Sequence, residues 1–263
     1  MKTYYLLSLS FLLLLSCTQE EPTVINCSPT SVTIFNTSAT DYLFSPNGDA
    51  LKLSSIDAYI GTDQNAKYTY EYNAGLISQI TSTDNTGAVL VYNATYSGSN
   101  LEKLTVYQDG STTIPQIEMR YIYSGNTITA IESWYGNAAG TLFQIGHSAF
   151  SYDGNGDLIT NESNLDIAAL FTLAFGSDPT SYSPILFFTA SYVTSNSPNP
   201  LAGSYSFAQP EYSIMKNLPS SVSITDFDGV VTTDDYTFES DANGYTTKAT
   251  SGTKYLDATY ECK

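Results

Sequence analysis

Tyr70-Glu71-Tyr72-Asn73-Ala74-Gly75-Leu76-Ile77-Ser78-Gln79-Ile80 is the stretch that decides the fold. Up to Asn73 large apolar side chains alternate with polar ones, the period of a strand with one buried face. Gly75 then supplies the positive φ that a short hairpin turn needs, and a second β run follows at once. The stretch reads as strand, tight turn, strand. Related units, each an aromatic followed by a Gly-bearing turn and then apolar residues, recur at Tyr96 to Leu104, Tyr121 to Ile131, Phe150 to Leu158 and Tyr236 to Tyr245. They form a weak internal repeat whose aromatic pairs can stack across a sheet.

The same rhythm extends outward. Leu51 to Tyr59 is one strand, and Tyr68 to Tyr72 opens the next with its tyrosines on one face. Turn residues interrupt the alternation every ten or so positions, the pattern of many short antiparallel strands. The expected class is all-β, a single large, strongly curved antiparallel sheet or barrel of short hairpins. Residues 160–219 break the pattern. Asn164 is a candidate N-cap for Leu165 to Phe175, with Gly176 just past the end, so one short helix is expected near 164–176. That helix is too apolar to lie in water and is expected to plug or cap one opening of the sheet. Pro179 and Pro184 follow, then apolar Ile185 to Val193, a loop from Ser195 to Gln209, and a return to hairpins from Val222.

The 263 residues carry 26 acidic and 9 basic side chains, a formal charge of -17, with Arg120 the sole arginine. Such a surface repels phosphate, which excludes nucleic acid as a partner and disfavours anionic headgroups. Polar character comes instead from Ser, Thr, Asn and Tyr, which suit exposed strand faces.

The N-terminus reads differently. Lys2 precedes an apolar run from Leu6 to Leu15 that ends in Leu14-Leu15-Ser16-Cys17. This resembles the lipobox of a bacterial lipoprotein signal. The resemblance implies a signal peptide at 1–16, lipidation of Cys17, an acidic tether over 17–30 and an antiparallel β domain over 31–263. Membrane attachment would then be by acyl chains and not by a spanning segment. Thr18-Gln19-Glu20-Glu21 resembles the acidic export tag of Bacteroidetes-type surface lipoproteins, which implies the outer membrane with the domain facing the cell exterior. The alternative is a periplasm-facing lipoprotein. Cys27 and Cys262 remain, in a compartment where disulfides persist. Either they bridge the two ends of the domain, or they are two free thiols.

The acidic-tagged lipobox, the Tyr-x-Tyr hairpins, Lys216-Asn217-Leu218-Pro219, Phe238 to Lys248 and the final Tyr260-Glu261-Cys262 together carry a wider likeness. They resemble the Bacteroidetes lipoprotein domains of unknown function that are described as porin-like in fold. The hairpin units also resemble the Tyr-Asp repeats of Rhs shell proteins, although most units here have Asn or Ser where Asp would stand. The first resemblance implies a sheet closing toward a barrel. Closure removes unpaired edges and brings first and last strands together, in agreement with a Cys27–Cys262 bridge. No activity is assigned to the family, so no catalytic residue carries over. A membrane-spanning barrel is not expected: its strands would need an outward lipid-facing apolar band, whereas Lys52, Glu71, Lys103 and Glu118 are scattered along these strands, and a lipid anchor would be redundant.

Few residues suggest chemistry, and no cofactor is implied. His147 is the only histidine and lacks a second metal-ligating partner or a nucleophile elbow. Asp153, Asn155 and Asp157 have the first spacings of a calcium loop, but Leu158 stands where glycine is needed and Asn164 where the closing Glu belongs. The competing reading is a hairpin turn. Trp134, the only tryptophan, and Tyr135 precede Gly136-Asn137-Ala138-Ala139-Gly140. An indole in a loop can stack on a sugar ring, which makes this pair the candidate ligand platform; a half-buried aromatic at the end of the sheet is the alternative. The expected function is a non-enzymatic surface lipoprotein that binds carbohydrate or an envelope partner. The alternatives are a structural envelope spacer and a hydrolase acting on an extracellular polymer.

Overall fold

A computed structural model of the chain describes residues 27–35, 39–47, 49–60, 63–108, 111, 113–200 and 214–262. The signal segment, Cys17, the tether up to residue 26 and most of the 195–209 loop lie outside the described residues. The strands are β1 (Cys27–Phe35), β2 (Ala39–Asn47), β3 (Asp49–Ile60), β4 (Asp63–Asn73), β5 (Leu76–Asp84), β6 (Val89–Ser97), β7 (Asn100–Gln108), β8 (Pro115–Ser124), β9 (Thr127–Gly136), β10 (Leu142–Tyr152) and β11 (Leu158–Leu165). Helix α1 (Ile167–Ala174) follows. Then come β12 (Ile185–Val193), β13 (Ser197–Pro198), β14 (Asn217–Leu218), β15 (Ser221–Asp226), β16 (Val231–Asp235), β17 (Thr237–Ser240), β18 (Thr246–Ser251) and β19 (Lys254–Cys262). Among the described residues, Cys27 to Pro29 are already paired with β19.

Apart from the small β13–β14 ribbon, the strands make one 17-stranded sheet. Each pairs antiparallel with its neighbour in sequence from β1 to β12, and β12 continues to β15. β16 and β17 are two halves of one extended segment that turns at Tyr236: the first half ladders to β15 and the second to β18. β19 then returns to β1, with Cys27 opposite Cys262 and Val32 opposite Ala258. The sheet is therefore nearly closed into a barrel, as alternation and turns predict. The Cys27–Cys262 disulfide, across a sequence separation of 235, staples the seam at its end.

Two turn chemistries set the hairpins. In the decisive stretch Ala74 and Gly75 both have positive φ, the requirement of a two-residue type I′ turn. Five other connections share a second design, in which an Asx residue opens the turn and glycine stands three later. Asp84, Asn137, Asp153, Asp226 and Asp241 each accept, through Oδ1, the backbone N–H groups two and four residues on. These bonds replace water on the turn's amides. The five repeat units identified in the sequence all turn at the disulfide end. Helix α1 lies at the opposite rim, whereas the β12–β15 connection with its β13–β14 ribbon lies at the disulfide end, where Asn217 bonds Asp157.

The interior follows from strand alternation. Ile80, Val32 and Val106 are sealed, with Tyr70, Tyr92 and Phe44 beside them and Tyr42, Tyr68 and Tyr72 packed against the cluster. A second cluster gathers Ile131, Phe150, Leu158 and Met215. Burial pushes the Tyr92 and Tyr152 hydroxyls up to about 12. The Tyr152 hydroxyl donates to the Ile128 carbonyl oxygen at 2.6 Å. The tyrosine face is thus a core, and the half-buried Tyr152 hydroxyl is satisfied by that bond.

The helix departs from expectation. Its N-cap is Asp166, not Asn164: Oδ1 accepts from the Ala169 N–H at 2.8 Å and Oδ2 from the Ser183 N–H at 2.5 Å. Asn164 still belongs to β11, opposite His147. Pinned beyond the end of β11, the helix spans only eight residues and buries Ala169 alone, so it cannot plug the barrel mouth.

Candidate functional site

The residues around Trp134 build the most organised polar cluster on the barrel wall. Strand register places them. Lys103 lies opposite Arg120 across β7–β8, and Arg120 lies opposite Glu132 across β8–β9. One row over, Thr105, Glu118 and Trp134 are aligned in the same way. Six side chains therefore form two rows on one face, the face opposite inward-pointing Ile117 and Met119. Lys103 and Arg120 alone would repel each other. Glu118 resolves this from the adjoining row.

Glu118 is only 4% exposed although it stands on the outer wall. Its Oε1 accepts from Arg120 Nε at 2.6 Å, and its Oε2 accepts from Lys103 Nζ and Thr105 Oγ1, each at 3.3 Å. Burial pushes its carboxyl upward, but the hydrogen bonds and charges of Arg120 and Lys103 outweigh that and hold it below the usual range. A carboxylate held ionised in this way is suited to fixing cations and unsuited to donating a proton.

Trp134 completes the cluster. The Arg120 guanidinium carbon sits 3.9 Å from the indole centroid, a cation–π stack, and indole Nε1 donates to Glu132 Oε2 at 3.0 Å. Trp134 and Tyr135 lie inside β9, not in a loop as expected from the sequence, and consecutive strand residues point to opposite faces. They do not form one shared platform. Any ligand at Trp134 would meet an indole already stacked on Arg120, both half-buried. The sequence showed Lys103 and Glu118 only as scattered charges; their partnership was missed, and Arg120 was singled out only for being alone.

The other candidates resolve plainly. The Asp153 carboxylate accepts from the turn amides of Asp157 and Asn155, and the Asp157 N–H above all, with the Asn155 amide and side chain, holds its carboxyl below the usual range. Both Asp157 oxygens accept from Asn217 Nδ2, at 2.9 and 3.1 Å. The triad is a hairpin turn, and among the described residues no group of three or more His, Cys, Asp or Glu is placed to hold a metal. His147 is a half-buried strand residue opposite Glu132 and Asn164. Among the described residues no helix is long and apolar enough to cross a membrane.

A second surface is conspicuous for its lack of polarity. From Ile167 to Pro200 the only charged residue is Asp178, whose carboxylate accepts from Asn137 Nδ2 at 2.7 Å. Phe187 of β12 stacks on Phe227 of the β15–β16 turn, with ring centroids 6.4 Å apart and planes 8° from parallel.

Comparison with known proteins gives fold and little else. No protein-family model matches the chain, and no curated protein matches it. A porin-like protein of Bacteroides vulgatus ATCC 8482 matches at TM-score 0.55 and 14% identity, over 90% of this chain and 99% of that one. A porin-like protein of Bacteroides uniformis ATCC 8492 matches at 0.51 and 13%, over 89% and 98%. The class defined by the barrel is thus a porin-like fold. TcdB2-TccC3 without its hypervariable C-terminal region overlaps at a TM-score of 0.35 over 10% of its length, which carries no argument about the Rhs likeness.

Proposed function

We propose that this chain is a non-enzymatic envelope protein, carried on lipidated Cys17 at the outer membrane with its barrel facing the cell exterior, that works as a binding or interaction module. The observation that carries the reading is the outer surface, where exposed Phe171, Phe175 and Phe227 and the Trp134–Arg120 stack interrupt an otherwise polar wall, while Ile80, Tyr70, Tyr92 and Val106 fill the interior. Any recognition must then use the outer wall or the rims. The porin-like fold of the two Bacteroides proteins fits an envelope setting. Two outer features fit recognition, the Trp134–Arg120–Glu118 cluster and the apolar rim. The ligand classes proposed are carbohydrate, stacking at Trp134, or an envelope partner protein.

A structural spacer is the second reading, favoured by the packed interior. It predicts a polar exterior all round, and the exposed Phe171, Phe175 and Phe227 depart from that. The hydrolase reading has less support, because the most buried carboxylate of the Trp134 cluster is held ionised by two cations.

A glycan array probed with the mature protein, and with Trp134→Ala as control, tests the ligand. Binding that is lost in the control supports carbohydrate capture at this wall. Binding by neither protein removes carbohydrate and leaves the partner-protein reading, to be followed by cross-linking on whole cells. Radiolabelled fatty acid incorporation that disappears in Cys17→Ala tests the anchor.

A further inference from the structure

An apolar rim interrupts the polar outer surface. It lies at the barrel end opposite the disulfide, where β11, α1, β12 and the β15–β16 turn meet. Phe175 is 83% exposed, Phe227 and Val231 61%, Phe171 59% and Val230 58%. Single exposed apolar residues are ordinary, but a cluster of large ones at loop tips on one rim marks a docking surface. Over most of its circumference the outer wall is unlike this, with Ser, Thr and paired charges such as Lys67–Asp57 and the Thr30–Thr259 hydroxyls.

We infer that this rim dips into the interfacial layer of the same bilayer that holds the acyl chains of Cys17. The inference rests on the lipid-tether reading above. Three observations favour a bilayer over a protein partner. First, the reach fits: nine residues stand between Cys17 and Cys27, ten Cα steps in all, and a fully extended chain covers about 3.3–3.6 Å per step, so the tether can reach at most about 33–36 Å. The nine residues of β1 rise about 30 Å between the disulfide end and the far rim. Both ends can therefore meet one membrane. Second, the rim is near the seam: stepping from β1 through β19, β18 and the β17–β16 segment to β15 is four strand spacings, about 19 Å around the wall. Third, charge is withdrawn from the rim. The one charge of α1 through β12 is Asp178, bonded to Asn137, and the Asp226 carboxylate is engaged by its own turn amides. Asp228 is the remaining acidic group beside Phe227. For a protein of formal charge -17, such a weakly charged face is the one least opposed in approaching a bilayer. Protruding aromatic and aliphatic side chains without basic residues match insertion into zwitterionic lipid.

The test uses the lipidated mature protein in vesicles of phosphatidylethanolamine whose acyl chains carry bromine. In a Trp134→Phe background, one variant carries Phe227→Trp at the rim and another carries Ser99→Trp in an exposed turn at the disulfide end. A tryptophan carried about 5–10 Å into the interface meets the bromines, so emission at position 227 should fall by about half while position 99 is unaffected. Quenching at 99 without 227 means that the barrel stands on its tethered end and overturns the inference, as does quenching at neither. Fatty acid labelling of the same preparations separates the two readings. A chain without fatty acid whose 227 tryptophan is still quenched keeps the rim contact and overturns the tether. A chain without fatty acid and without quenching overturns both.

Discussion

Glu118→Gln perturbs the cluster at its centre while keeping shape. The wild-type carboxylate takes two charge-assisted hydrogen bonds, from Arg120 and Lys103, and one from Thr105. A hydrogen bond to a charged group is worth about 1.5–3 kcal/mol net. Arg120 and Lys103 keep about 40% of their side chains in water, which lowers the value of both pairs toward the surface range. Glutamine can still accept from one of them or from Thr105, but it leaves two cations opposite each other. The expected loss is about 2 kcal/mol at pH 7. Its pH dependence has a definite sign. The folded carboxyl titrates below its ordinary value of 4.5, so its contribution is fully present above the unfolded value and disappears as pH falls through the folded one. The difference between wild type and variant should be flat at neutral pH and shrink under acid. Equilibrium urea unfolding, followed by Trp134 emission and far-ultraviolet circular dichroism, reads it from the shift in midpoint at several pH values. A difference below about 0.5 kcal/mol at pH 7, the range of ordinary surface changes, would refute the reasoning. So would a larger one that persists unchanged into acid.

Three further outcomes follow from the same geometry. Replacing both Cys27 and Cys262 by serine releases a loop of separation 235; the chain-entropy model gives about 4–5 kcal/mol, and amide exchange along β1 and β19 should quicken first, with unchanged exchange there refuting closure by the bridge. Asp166→Ala leaves the Ala169 and Ser183 N–H groups without their acceptor, costs about 1–2 kcal/mol and frees residues 167–184 to exchange while β10–β11 pairing persists; equal loosening of β11 would contradict a role confined to the cap. Burial raises the Tyr92 and Tyr152 hydroxyls to about 12, so the stability they lend is complete below the unfolded value near 10 and is lost as pH climbs toward 12; ultraviolet titration should show tyrosines that ionise only with unfolding, and a single transition near pH 10 in a folded chain would count against the buried assignment.

Strands and turns were legible because they are local. A period of two and an Asx or glycine at a fixed offset need no knowledge of distant residues, and the repeat at Tyr70–Ile80 is now β4, its turn and β5. The five Asx turns could have been read more sharply, since Asp84, Asn137, Asp153, Asp226 and Asp241 all precede a glycine by three. β1 and β2 were less visible, because Val32 and Ile34 alternate only briefly before residues 36–38. The helix start was misplaced by two residues because Asn164 and Asp166 are equally good caps in sequence; pairing of Asn164 with His147 decided between them.

By itself, the sequence determined an acidic, all-β chain of tyrosine-faced hairpins with two cysteines free to meet. Which charges would meet was decided elsewhere. Bulges at Thr95/Tyr96, Val106/Tyr107 and Ile122/Tyr123 shift the register, and a one-residue shift exchanges the two faces of a strand. Only the folded sheet therefore put Glu118 between Lys103 and Arg120, and set Trp134 apart from Tyr135. Likewise, Phe187 and Phe227 are ordinary apolar residues forty positions apart until the pairing of β12 with β15 stacks them on one exposed rim. Exposure is a property of what the rest of the chain leaves uncovered, and alternation along a single strand cannot encode it.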